Sequence, residues 1–307
     1  MLQPRFIFNV TEIILITTVI GLIITLFFGY TGMGAKRWIR IGGFNLQISE
    51  FAKIALVLFM AKYFHKLNAE KTIGLLRSIL PLIISLIVFI LVAIQPDLGT
   101  AVIILTLGLI AIFYAGINLI YPILSLIILG ISSPFLWTLL KPYQQNRVMI
   151  FLNPDLDPLG KGYHIIQSKI AIGSGGMRGN GFLGGSQSSL DFLPEKETDF
   201  VFAIFSEQFG FTGSMVILGL FLFLFLIPIF KSFFLTQVFN KLILFVLSFK
   251  IFFEFLINIS MTIGLVPVVG VALPFMSYGG SSLLSNMIIC ALLINIMSIS
   301  EKKRMFS

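Results

Sequence analysis

The chain has 307 residues, of which 57% are hydrophobic and 11% charged, with 33 Phe and a formal net charge of +8. That leaves too little polar surface for a water-soluble enzyme or binding module and describes an integral membrane protein. Its apolar runs approach the roughly 20 residues a helix needs to cross a bilayer, not the roughly 10-residue alternation of barrel strands, so an all-α, polytopic fold is expected.

In chain order, spanning helices are expected near residues 10–29, 49–65, 73–94, 98–117, 119–140, 206–230, 241–262 and 278–299. These eight make a single membrane domain over residues 1–307. The first has too long an apolar run, with no small-residue site after it, for a cleavable signal peptide. The second carries Lys53, Lys62 and His65, which interrupt the apolar run and must pair or snorkel to the interface. Cys290 falls in an apolar span as an inert thiol with no internal disulfide partner.

Orientation follows from the basic residues of the short loops. Arg5, Lys62, Lys66, Lys71, Arg77, Lys231, Lys241, Lys302, Lys303 and Arg304 fall on one side if the spans alternate, which places that side and both termini in the cytoplasm. The long loop over about 141–205 then faces outward. Lys36, Arg37 and Arg40 in "GAKRWIRIGGFNLQISEFAK" break the rule, as do Lys141, Arg147, Lys161, Lys169, Arg178 and Lys196 in or beside the long loop. As a set they suit a phosphate-binding rim, because arginine and lysine are what a pyrophosphate requires. Singly, each also reads as a solvated loop charge or a headgroup contact, and Trp38 also reads as an interfacial belt residue. Glu50 and Lys53, spaced i, i+3, can pair on one helix face as a functional pair or as a structural clamp.

Within the long loop, Asn-Pro, Asp-Pro and Gly-Lys-Gly mark turns, and "YHIIQSKIAI" can form a short amphipathic helix at the interface. "GSGGMRGNGFLGG" is either an anion-approaching glycine segment or a slack connector, and it lacks the Gly-Lys-Ser/Thr of a P-loop. His164 is a candidate ligand or base, or simply a hydrogen-bonded histidine.

Four carboxylates, Asp191, Glu195, Glu197 and Asp199, close the loop in "LDFLPEKETDFVFAIF". Thr198 is a candidate N-cap, so that Asp199 starts a helix on which Asp199, Ala203, Ser206, Glu207 and Gly210 form one small or polar stripe facing a cavity. Asp191, Glu195 and Glu197 sit in turn-prone sequence, whereas Asp199 stands where water gives way to hydrocarbon and a carboxylate can be tuned as a base. The competing role for Asp199 is a favourable charge at a helix N-terminus. The final external segment, "MTIGLVPVVGVALPFMSYGGSSLLSN", breaks its helix at Pro267, Pro274 and Gly279-Gly280, which membrane depth tolerates only against protein or a wet cavity. Ser277, Tyr278, Ser281, Ser282, Ser285 and Asn286 bring hydroxyls and an amide to that break, with tight helix packing as the alternative role.

"GAKRWIRIGGFNLQISEFAK", "QPDLGTA", "RVMIFLNPDLDPLGKGYHIIQSKIAIGSGG", "FLPEKETDFVFA" and "PVVGVALPFMSYGGSSLL" together resemble the SEDS family of bacterial cell-wall proteins. The likeness runs from about residue 30 to the C-terminus, and "FLNPDLDPLGKGYHIIQSK" and "QSSLDFLPEKETDF" favour its elongation branch over its division branch. The resemblance implies a peptidoglycan glycosyltransferase of the bacterial inner membrane that polymerises lipid II and releases undecaprenyl pyrophosphate. It also implies a class B penicillin-binding protein and other elongation proteins as partners, a divalent cation (Mg or Mn) near the catalytic residue, and neither an organic cofactor nor a nucleic acid partner. The family's essential aspartate matches Asp199, and its charged pair matches Glu50 and Lys53. The expected substrate-binding set is Lys36, Arg37, Trp38, Arg40, Glu50, Lys53, Arg147, Lys169, Ser277, Tyr278 and Ser281. Three departures stand out: the family's first two of ten spans have no counterpart in this chain, Ile48 replaces a usual proline, and Glu197 a common histidine. A lipid-linked sugar flippase and a non-catalytic scaffold are the competing functions; a transporter would carry its key charges near mid-membrane.

Overall fold

The computed structural model describes residues 3–305 apart from 33–34, 68–73, 119, 158–159, 183 and 186–196. Lys71, Asp191, Glu195 and Lys196 therefore lie outside the described residues. Each of the eight expected spans coincides with a helix. These are α1 (Pro4–Phe28), α2 (Ile48–Lys66), α3 (Leu75–Ile94), α4 (Leu98–Tyr114), α5 (Ile120–Leu139), α8 (Val201–Phe233), α9 (Val238–Thr262) and α10 (Gly280–Met305), with α6 (Pro142–Leu152) and α7 (Lys161–Ser174) in the long loop. By length and apolarity, α1, α3, α8, α9 and most of α10 can cross a membrane, while α4 and part of α5 are shorter apolar helices.

By packing, the chain divides into two compact units, with divisions falling inside α5, α8 and α9. The first comprises residues Met1–Pro122, Leu224–Phe252 and Gly280–Ser307. At its centre lies α2, which packs against α1, α3, α4 and α10. A helix buried on nearly every side needs no amphipathic stripe, and Leu56, Ala61 and Phe64 of α2 are fully buried, as are Leu22 of α1 and Leu107 of α4. The charges that interrupt α2 are matched: Lys53 pairs with Glu50, and Lys62 pairs with Glu12 of α1 while standing 4.8 Å over the Phe8 ring.

One element departs from an all-α fold. Strands β1 (Tyr30–Gly32), β2 (Ala35–Ile41) and β3 (Phe44–Leu46) form an antiparallel sheet in the order β1-β2-β3. Gly42 and Gly43, with φ of 54° and 91°, make the two-residue turn that sets Ile41 opposite Phe44. Two successive positive φ values are what such a tight hairpin demands, and glycine adopts them without strain.

The second unit comprises residues Ile123–Phe223 and Phe253–Gly279. Here α6 and a short 3₁₀ turn (Pro154–Leu156) pack on α7. Phe200, Ala203 and Ala171 form a small buried core with Ile172 and Val268. Ser168 of α7 donates to the Thr262 carbonyl at the end of α9 (2.8 Å), which ties the loop helix to a spanning helix.

Candidate functional site

Residues 197–200 form a turn, and α8 starts at Val201, two residues later than the Thr198 cap would have it. The reason lies in where three successive carbonyls go. Glu197 O accepts from Tyr278 N (2.8 Å), Thr198 O from Ser277 Oγ (2.5 Å), and Asp199 O from Asn258 Nδ2 (3.1 Å). Helical pairing begins only at Phe200 O, which accepts from Ala203 N and Ile204 N (3.0 and 3.4 Å). Ser277 Oγ also accepts from Leu273 N (2.7 Å), and Asn258 Nδ2 also donates to Val271 O (2.8 Å). The broken segment after α9 thus grips the main chain of Glu197 and Thr198, and Asn258 of α9 grips that of Asp199.

The Asp199 side chain is partly exposed and lies beside Gly270 (φ 74°), where an added Cβ would sit 3.5 Å from Oδ2. The stripe expected to face a cavity is instead packed against protein. Ser206 and Glu207 are buried, with Gly175 against their backbone and Gly185 against the Glu207 side chain.

Two cations of the same unit have no hydrogen-bond or ion-pair partner among the described residues. Lys169 is exposed on α7, its stem crossing Gly264. Arg147 is half-buried on α6, with Nε out of solvent and unsatisfied. His164 has a buried, unsatisfied Nδ1, and its ring lies 6.2 Å from that of Phe200. Tyr278 is 80% exposed, so its side chain is available, whereas the Ser277 hydroxyl is engaged twice within the protein.

In the first unit, Lys36 and Arg40 are exposed, Arg40 lying 5.3 Å over the Tyr30 ring, and Trp38 pairs across the sheet with Tyr30. Arg37 is occupied within the protein: it donates to Gln95 O (3.3 Å) and Pro96 O, and lies 3.9 Å from Asp97. Asp97 in turn caps α4 through Thr100 N (3.4 Å), which gives "QPDLGTA" a structural reason. Ser281 Oγ accepts from Gln47 N and donates to Asn45 O, both at 2.9 Å, so it acts as a staple. Lys53 Nζ meets Glu50 Oε1 at 2.7 Å, and Ser285 Oγ donates to the other oxygen at 3.0 Å. Lys250 of α9, fully buried, donates to Asn286 Oδ1 at 2.7 Å.

Sequence reasoning missed Asn258 and Lys250. The signal was present: Lys250, Glu254, Asn258 and Thr262 recur every four residues on α9 and are buried, at 0%, 2%, 0% and 0% exposure. A polar residue every fourth position in an apolar run marks one face turned to protein.

Among the described residues no three His, Cys, Asp or Glu gather closely enough to hold a metal, and a hard divalent cation requires about six oxygen ligands.

Comparison with known proteins places these features. A family model described as "Cell cycle protein", covering FtsW, RodA and SpoVE, matches residues 1–302. The peptidoglycan glycosyltransferase MrdB of Escherichia coli (strain K12) is 39% identical over 281 residues, spanning 91% of this chain and 75% of that protein. The peptidoglycan glycosyltransferase RodA of Treponema pallidum (strain Nichols) is 35% identical, spanning 93% of this chain and 82% of its own. A solved structure described as showing structural coordination of polymerization and crosslinking by a peptidoglycan synthase complex superposes with a TM-score of 0.82 at 30% identity. The match covers 97% of this chain and 83% of the other.

Proposed function

The chain belongs to the FtsW/RodA/SpoVE family, on its RodA side, and from that premise we propose that it is a peptidoglycan glycosyltransferase polymerising lipid II for cell elongation. The observation that carries the reading is the gripped turn at 197–199, which presents the partly exposed Asp199 carboxylate beside the Gly270 backbone.

In the proposed reaction the 4-hydroxyl oxygen of an acceptor GlcNAc bonds to the anomeric carbon of a MurNAc. The bond from that carbon to the pyrophosphate oxygen breaks with its electron pair, and the hydroxyl proton passes to the Asp199 carboxylate. A single base suffices because the leaving group is already activated, unlike the two carboxylates a glycosidase requires. Lys169 and Arg147 are assigned to the departing pyrophosphate, since their charge has no partner among the described residues. Tyr278, of the same unit, is a further contact for the lipid-linked sugar, and Lys36, Trp38 and Arg40 offer a separate candidate contact surface within their own unit. Arg37, Ser277, Ser281, Glu50 and Lys53 serve by holding the scaffold, their polar atoms being engaged within the protein. On this reading the 141–205 loop and Asp199 face outward, both termini are cytoplasmic, and a class B penicillin-binding protein cross-links the product.

A second reading, transport of a lipid-linked sugar, draws on one observation. Lys250 and Glu254 are buried within the spanning helix α9, so the charges do not all gather on the outer side. Purified protein incubated with labelled lipid II, with and without its cross-linking partner, separates the two. A glycan ladder supports the transferase, and unconverted lipid II moved across a vesicle membrane supports the transporter.

A further inference from the structure

The glycine-rich segment after α7 is neither an anion nest nor a slack connector. Inside α8, Gly210 adopts φ 65° and ψ −164°, which breaks the helix. In a continuous helix, Phe211 N and Thr212 N would pair with the carbonyls of Glu207 and Gln208. All four groups instead pair with the glycine segment. Phe211 N donates to Gly176 O (2.8 Å) and Thr212 N to Met177 O (3.1 Å), while Glu207 O and Gln208 O accept from Asn180 N and Gly181 N (3.0 Å each). Thr212 Oγ1 adds a bond to Met177 O (2.8 Å), and Ser214 Oγ donates to Gly210 O (2.9 Å) while lying 3.0 Å from Ser206 Oγ across the break. The segment is spliced into the helix ladder and leaves none of these backbone groups unsatisfied, as a break buried in protein must.

The approach requires two glycines. A Cβ on Gly179 (φ 80°) would run into Gln208 O, and a Cβ on Gly210 would run into Gly179 N. Both also hold positive φ, which other residues adopt only with strain.

We propose that this splice is a positioning element for the reaction: Gly179 and Gly210 fix the bend of α8, and through it the place of the limb that begins at the Asp199 turn. It rests on the reading of Asp199 as the base. Without the splice, Gly210 can return to helical angles, the ladder closes on itself, and the limb carrying Asp199 swings. A displacement of about 1 Å at a reacting group can cost roughly 100-fold in rate.

The test pairs amide hydrogen exchange with lipid II turnover on the purified full chain. In the wild type, the amides of Asn180, Gly181, Phe211 and Thr212 are protected. Gly179→Ala should unprotect Asn180 and Gly181 while Phe211 and Thr212 stay protected by closing onto the helix, and kcat should fall roughly 10- to 100-fold with KM little changed. Thr212→Val removes only the hydroxyl bond and should shift both readings the same way by less, which keeps the proposal testable if the alanine variant does not fold. Gly219→Ala, where a Cβ meets open space, should leave both unchanged. Asp199→Asn in parallel separates the two claims. Its full activity would refute the catalytic reading. Full activity of a Gly179→Ala protein that has lost protection at 180–181, or unchanged protection there, would refute the splice as a positioning element.

Discussion

Asn258 Nδ2 holds the backbone oxygen of Asp199 at 3.1 Å, and the same nitrogen reaches Val271 O at 2.8 Å. One fully buried amide thus fastens the main chain of the candidate base to the broken segment 264–279. Asn258→Leu should leave both carbonyls short of a donor, at about 1–3 kcal/mol each. The expected outcome is a lowered thermal midpoint together with a fall in kcat at near-constant KM, read by thermal unfolding and lipid II turnover. Lowered stability with unchanged kcat would mean that the grip serves the fold alone.

The Glu50–Lys53 pair makes a different demand. Both residues are buried, at 7% and 1% exposure, and their charged atoms lie 2.7 Å apart. Removing one partner of a buried pair costs about 3–5 kcal/mol, whereas replacing both with apolar groups is often neutral. Lys53→Ala should therefore unfold at lower temperature than the Glu50→Leu/Lys53→Met double variant. A double variant that is the less stable of the two would contradict the clamp reading.

Much of this architecture could be read from residue order, for identifiable reasons. The spans follow from run length alone, and α2 survives its charges because Glu50 and Lys53 are three residues apart and can pair locally. The three-stranded sheet was hidden because its strands are short and its charges resemble a loop, although Gly42-Gly43 is a hairpin turn in plain sight. Gly210 in a helical run hinted at a break, but the groups that fill it lie about 30 residues earlier, a distance no local pattern spans. The same limit concealed the staple roles of Ser277, Ser281 and Arg37. Each hydroxyl or guanidinium looked available until its partner from elsewhere in the chain was placed beside it.

Sidedness is open to direct labelling. Phe182 and Phe234 are 76% and 72% exposed, and the proposed orientation, drawn from the basic loops, expects them on opposite faces of the membrane. In a Cys290→Ala background, Phe182→Cys should react with an impermeant maleimide on intact cells, and Phe234→Cys only after permeabilisation. The reverse pattern would invert the topology and put Asp199 on the wrong side for assembling the wall.

Asp199→Asn isolates the proton-accepting role of the carboxylate, because the amide keeps the size and the backbone grip of Asp199 while it cannot take the acceptor's proton. The measurement is glycan product from labelled lipid II for wild type, Asp199→Asn and Glu197→Gln, each checked for expression and for binding to the cross-linking partner. With Asp199 as the base, Asp199→Asn should lose about 10²–10⁴-fold, the range of general base catalysis, with Glu197→Gln near wild type and partner binding intact. Polymerisation by Asp199→Asn at the wild-type rate would contradict that role.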